Sequence, residues 1–244
     1  MRLKYFIMLA PALLLAGCMT RSISDSDRTE PRYYYGGANP AGVQYQGELS
    51  EFDVLGIDAG ASPSEEDIGQ ALDAAAGRPI LHRGDSIMLV QSGAMIPDAE
   101  MVQNLEMTFA VTVFTGVPER TKDSNTSYSR SLRLAAAKAG INTILVYWGV
   151  LESGTENLAA STVSWVPIVG YTLPDKAQTM RIRLKIAAVD VRTGRWEMFA
   201  PKALDDRTYS SIITRKQSDQ AQVATLKKQA YSLAADSVLA RYVR

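Results

Sequence analysis

The strongest pattern in the chain is the alternation in "TMRIRLKIAAVDV": Met180, Ile182, Leu184, Ile186 and Ala188 fall on one side, and Thr179, Arg181, Arg183 and Lys185 on the other. A period of two sustained over this length predicts a strand with one dry face and one charged face. "SIMLVQSG" and "TFAVTVFTGV" predict two shorter strands, the second rich in β-branched and aromatic residues. "NTILVYWGVLES" places Ile144, Val146, Trp148 and Val150 on one side and Leu145, Tyr147 and Leu151 on the other. Apolar on both faces, it predicts a central strand covered twice. "STVSWVPIVGYTLP" is extended but interrupted by Pro167 and Gly170, which suits an edge strand or a projecting hairpin arm. "DVRTGRWEMFA" turns at Thr193-Gly194 into one more strand.

Between these runs the period changes to three and four. "ASPSEEDIGQALDAAAGRP" predicts a short helix. Ser62, Pro63 and Glu65 mark its start, Ile68, Leu72 and Ala75 share a face, and Gly77 and Pro79 end it. "PDAEMVQNLEM" and "SNTSYSRSLRLAAAKAG" predict two more, the latter stopped by Gly140. At the end, Val223, Leu226, Ala230, Ala234, Val238 and Tyr242 predict a long helix lying on a sheet. The expected fold class is α/β (α+β): a mixed, mostly antiparallel sheet with helices packed mainly on one face and a long C-terminal helix.

The first residues do not belong to that body. "MRLKYFIMLAPALLLAG" has Arg2 and Lys4 ahead of an apolar run, the pattern of a secretory signal. The run is about ten residues, half of what a membrane-spanning helix needs. It ends in Leu15, Ala16, Gly17 and Cys18, which resembles the lipobox of bacterial lipoproteins. The resemblance implies cleavage between Gly17 and Cys18 and lipid on Cys18. Several acyl chains hold a protein stably where one does not. In that class an aspartate after the cysteine favours inner-membrane retention, so Met19 implies the outer membrane. The expected divisions are a signal peptide over 1–17, the lipidated cysteine and a flexible tether over 18–50, a loop and short helix over 51–84, and a periplasmic α/β domain over 85–244.

Residues 19–50 are rich in Ser, Asp, Gly and Pro and lack apolar periodicity, which is the reason for reading a tether. Coil of that length spans on the order of 30 Å. Tyr33, Tyr34 and Tyr35 either pack on the domain edge or form a recognition stretch for another envelope protein. The 244 residues carry 26 basic and 26 acidic side chains, so no basic field is present to attract nucleic acid. Cys18 is the one cysteine, which excludes an internal disulfide.

A lipobox, a tether, "FAVTVFTGV", an alanine-rich helix running into "AAAKAGINTILVYWG", and a long strand ending "VDVRTGRW" are together similar to a family of envelope lipoproteins. That family includes the curli-secretion lipoprotein and the penicillin-binding-protein activator lipoprotein, with a domain like the N-terminal part of TolB. The resemblance covers roughly residues 85–240 and implies a binding or assembly role without catalysis.

The search for chemistry agrees. His82 is the single histidine, so H-E-x-x-H and histidine-thiolate metal sites fail on count, and no nucleophile elbow G-x-S-x-G is present. "GIDAGASP" lacks the glycine spacing and the lysine of a phosphate loop. Glu65, Glu66 and Asp67 suit a helix start. No metal and no cofactor are expected. Arg181, Arg183 and Lys185 stand about 6–7 Å apart on one strand face. They either meet an acidic partner or pair with neighbouring carboxylates. With Trp165 and the three tyrosines they are the candidate partner-binding residues. The leading expectation is a non-enzymatic outer-membrane lipoprotein, an assembly or regulatory accessory that binds another envelope protein. The alternatives are an envelope hydrolase using His82, and a subunit of a homo-oligomeric secretion complex contacting its copies around Trp165–Tyr171.

Overall fold

The computed structural model describes residues 22–25, 47–58, 60–75, 80–118, 125–157, 162–167, 178–208 and 215–244. A short 3-10 turn, Ile23–Asp25, is followed by α1 (Glu51–Leu55), α2 (Glu65–Ala74), β1 (Ser86–Gln91), α3 (Ala99–Glu106), β2 (Ala110–Phe114) and α4 (Asn125–Lys138). Then come β3 (Thr143–Asn157), β4 (Thr162–Pro167), β5 (Gln178–Asp190), β6 (Trp196–Phe199), β7 (Leu204–Thr208) and α5 (Arg215–Tyr242). The seven strands form one sheet in the order β2-β1-β3-β5-β6, with β4 beside β3 and β7 beside β5. β1 runs parallel to β2 and β3, and every other pairing is antiparallel. The expected class, mixed α/β with a mostly antiparallel sheet and a long C-terminal helix, is the observed one.

β3 is central and covered twice. Leu145, Tyr147 and Leu151 join Ile87, Leu89, Ile182, Leu184 and Ile186 under α3 and α5. Ile144, Val146 and Trp148 join Met88, Val90, Ala187 and Val189 under α1 and α4. Each set is one side of the strand alternation, because successive side chains point to opposite faces. The longest helix, α5, and α3 share a face, while α1 and α4 cover part of the other, so helices pack on both faces and not mainly on one as the pattern predicts.

Two local features differ from expectation. The capping box of α2 belongs to Ser64 and Asp67, two residues later than Ser62, so Pro63 lies before the cap. The stripe Ile68–Leu72 stays exposed: among the described residues α2 has none that is buried. The larger difference is in the polar stretch expected as a tether. Ile23 is 1% exposed, Ser22 and Leu49 are buried, and Ser22 forms a bridge with Val150. β1 ends opposite Tyr147, and β4 ends with Pro167 opposite Glu152, both along β3. Ser22 occupies the gap between them. One apolar side chain in a polar run gives no period, which is why the sequence alone does not announce it.

Candidate functional site

β1 and β2 send their connections over opposite faces of the sheet, α3 on one and α4 on the other. In α/β sheets a crevice commonly opens at the carboxyl ends of such strands. Here the two loops are joined across it: the Gly93 N–H donates to the Gly116 carbonyl at 2.9 Å, and the Gly116 N–H to the Ala94 carbonyl at 2.8 Å. Glycine at 116 is required by this approach, since a Cβ there would lie 1.8 Å from the Gln91 carbonyl oxygen.

Beneath these loops lies a buried polar cluster. The Tyr147 hydroxyl donates to Gln91 Oε1 at 2.5 Å, and Gln91 Nε2 donates to Ser24 Oγ at 2.9 Å and Asp98 Oδ2 at 3.2 Å. Asp98 also accepts from the Tyr231 hydroxyl and pairs with Lys227 at 3.1 Å. Burial, and after it the Asp98 charge, push the Tyr147 hydroxyl well above its ordinary pKa. It is therefore a donor at all physiological pH. Ser24 closes the cluster by donating to the Ser92 carbonyl at 2.7 Å, and the Leu49 N–H donates to Ser92 Oγ at 2.9 Å. The cluster ties α3, α5, β1, β3 and the N-terminal segment together. No sequence motif marks it, because its members are spread from position 24 to 231.

The cation stripe is where the alternation placed it, and it is paired. Glu152, itself buried, accepts from Arg181 Nε at 2.8 Å and Nη2 at 2.5 Å, and from Arg183 Nη2 at 2.5 Å. Burial works to raise the Glu152 carboxyl; hydrogen bonds from Arg183 and Arg181 outweigh it and hold it below its ordinary value. Lys185 pairs with Glu51 and stands 5.6 Å over the Trp148 ring. Partial burial pushes its ammonium down, against the attraction of Glu48. Burial beside Ser22 in turn pushes the Glu48 carboxyl up, opposed by the Ser22 hydrogen bond and by Lys185. Arg183 remains 54% exposed at the side chain, so the paired stripe still presents charge.

The other candidates are dispersed. Trp165 lies on β4 opposite Gly154. His82 is on an exposed turn with Nδ1 3.6 Å from Asp85. Asp190 accepts from the Thr193 N–H and hydroxyl, both at 2.6 Å, as a turn residue. Gly17, Cys18, Tyr33, Tyr34, Tyr35 and Tyr171 lie outside the described residues. Among the described residues no group of three His, Cys, Asp or Glu side chains could hold a metal, and no helix is long and apolar enough to cross a membrane.

Comparison with known proteins finds no match among curated sequences. Solved structures similar to the chain include a dodecamer of a PelC variant from Paraburkholderia phytofirmans, 17% identical, covering 64% of this chain and 95% of that one, with a TM-score of 0.30. Another is a neuraminyllactose-binding hemagglutinin homolog from Helicobacter pylori, 13% identical, covering 67% and 86%, with a TM-score of 0.29. The family model described as YafT bacterial lipoprotein matches residues 50–241, most of the chain, and the protein belongs to that family of bacterial lipoproteins.

Proposed function

We propose that this protein is a non-enzymatic accessory of the bacterial envelope, anchored by lipid on Cys18 in the outer membrane, whose periplasmic domain binds another envelope protein. Membership of a lipoprotein family supports the anchor, and the sequence around Gly17-Cys18 supplies the acceptor. Met19 after the cysteine supports sorting to the outer membrane. The kinship with the curli-secretion and penicillin-binding-protein activator lipoproteins belongs to the same reading and rests on the helix-to-strand passage "AAAKAGINTILVYWG" and the close "VDVRTGRW".

The observation that carries the binding role is the four-strand extension β4-β3-β5-β7. Its outer strands, β4 and β7, each have one sheet neighbour among the described residues. Edge strands offer unpaired backbone donors and acceptors to an incoming segment. β4 carries Trp165, and Arg183 stands on the adjoining face.

A photo-crosslinking residue at Trp165 or Arg183 in intact cells, followed by mass spectrometry, tests this reading. A discrete heterologous envelope protein is expected. Crosslinks only between copies, with a large species in analytical ultracentrifugation, would replace the accessory with a homo-oligomer subunit. His82→Ala is expected to leave the phenotype intact, and loss of a turnover on that change would establish the hydrolase instead.

A further inference from the structure

Among the described residues β2, β4, β6 and β7 each have a side without a sheet neighbour. Charge, proline or a very short strand keeps such edges from pairing with other chains. β7 carries Asp205, Asp206 and Arg207, β6 carries Glu197, and β4 ends in Pro167. β2 is "AVTVF", with neither charge nor proline. Its Ala110, Thr112 and Val113 are exposed, Val113 by 44%.

The hydrogen bonds on the inner side of β2 fix which groups its outer side offers. The Ala110 N–H donates to the Asp85 carbonyl at 2.9 Å, and Gly116 bonds to the loop after β1 with both of its backbone groups. Backbone groups alternate in direction along a strand, so the even positions face β1. Val111 and Val113 therefore turn their N–H and C=O groups outward.

We propose that β2 pairs antiparallel with β2 of a second copy, about a two-fold axis at Thr112, so that the two sheets become one. In that register Val111 of each copy exchanges both backbone bonds with Val113 of the other. Thr112 meets the second copy's Thr112, and Ala110 meets its Phe114, a small side chain against a large one. A two-fold interface requires a surface that complements itself. A neutral strand does so without opposing like charges, whereas β7 on such an axis would set its aspartates against one another. The pairing uses neither β4 nor β7 and does not rest on the partner proposed above.

Disulfide trapping in intact cells making the full chain tests this register. Thr112 and its copy form a non-hydrogen-bonded pair with Cα atoms about 4.5 Å apart, within disulfide reach. Ala110 is exposed on the same face, but the two copies of this position stand about 14 Å apart along the strands, beyond that reach. After mild oxidation, Thr112→Cys should give a disulfide-linked dimer on a non-reducing gel, and Ala110→Cys should give no more than the parent chain. Cys18 is present in all three, so the parent measures any crosslink of its own. Adding Val113→Lys to Thr112→Cys sets two like charges diagonally across the pair and should cut the dimer about fivefold. Urea unfolding of Val113→Lys checks that its fold is kept; if it is not, the contrast between positions 112 and 110 decides alone. Equal trapping at the two positions, no dimer at either, a heterologous protein trapped at 112, or a dimer unchanged by Val113→Lys in a folded chain overturns the inference.

Discussion

A Cβ at position 149 would lie 2.3 Å from Cγ2 of Ile23 and 2.9 Å from Cδ2 of Leu184, so the bare backbone of Gly149 is the floor on which Ile23 rests. A glycine inside a strand weakens it through lost packing and extra chain entropy, and is often found where another segment approaches closely. Here that segment comes from the N-terminal end of the chain and completes the core under α5.

Gly149→Ala is expected to lose roughly 1–3 kcal/mol, the cost of overpacking a filled core. Ile23→Ala alone loses a buried side chain, about 2–4 kcal/mol. The double variant should lose less than the sum, because removing Ile23 relieves the contact that the new methyl group makes. Urea unfolding of the four proteins measures this cycle, and simple additivity would mean that the two positions do not touch.

Gly116→Ala should be worse than Gly149→Ala. Its added methyl would meet the Gln91 carbonyl oxygen at 1.8 Å and its carbon at 2.5 Å, and backbone cannot rotate away as a side chain can. The loop pairing across the carboxyl ends of β1 and β2 must open. Differential scanning calorimetry should show a lower transition temperature than for Gly149→Ala.

Asp98→Ala removes a carboxylate that pairs with buried Lys227 and accepts from Tyr231 and Gln91, and should cost about 3–5 kcal/mol, more than Tyr231→Phe or Leu72→Ala. Tyr231→Phe removes one donor to the same carboxylate and should cost about 1.5–3 kcal/mol. Leu72→Ala on α2 touches no core and should stay within about 0.5 kcal/mol of the parent. Thermal melts of the three variants rank them, and a Leu72→Ala loss as large as that of Tyr231→Phe would show that α2 is packed after all.

The legible parts of this fold were those with local period. β5, β3 and α5 each repeat their pattern over many residues, and the structure has them where the alternation and the three-four spacing placed them. What escaped has no period. Ser22–Asp25 offers one isoleucine among polar residues, and its fit depends on a glycine far along the chain. β7, in "LDDRT", is acidic and short, and pairs with β5 only because β6 has already ended beside it. The charged face of β5 was legible as three cations; that Glu152 would sit between two of them required the register of β3 against β5, which only the assembled sheet sets.

Glu152 gives the last prediction its pH dependence. The carboxyl is held below its ordinary value in the fold, where hydrogen bonds from Arg183 and Arg181 outweigh the upward push of burial. A carboxylate of this kind contributes stability that is fully present above its unfolded pKa, about 4.3, and is lost as pH falls through the lower folded value. Glu152→Gln keeps the shape, loses the charge, and should cost about 1–3 kcal/mol at neutral pH. The Arg183 share is partly screened because that side chain is more than half exposed; the Arg181 share persists in salt. At about pH 3 the parent protein loses part of the same advantage, so the gap between it and the variant should narrow. Asp190, also held low by Thr193 against its burial, titrates in both proteins and cancels from the comparison. Urea unfolding at the two pH values measures the gap, and one that stays constant would mean that the two arginines do not stabilise the Glu152 charge.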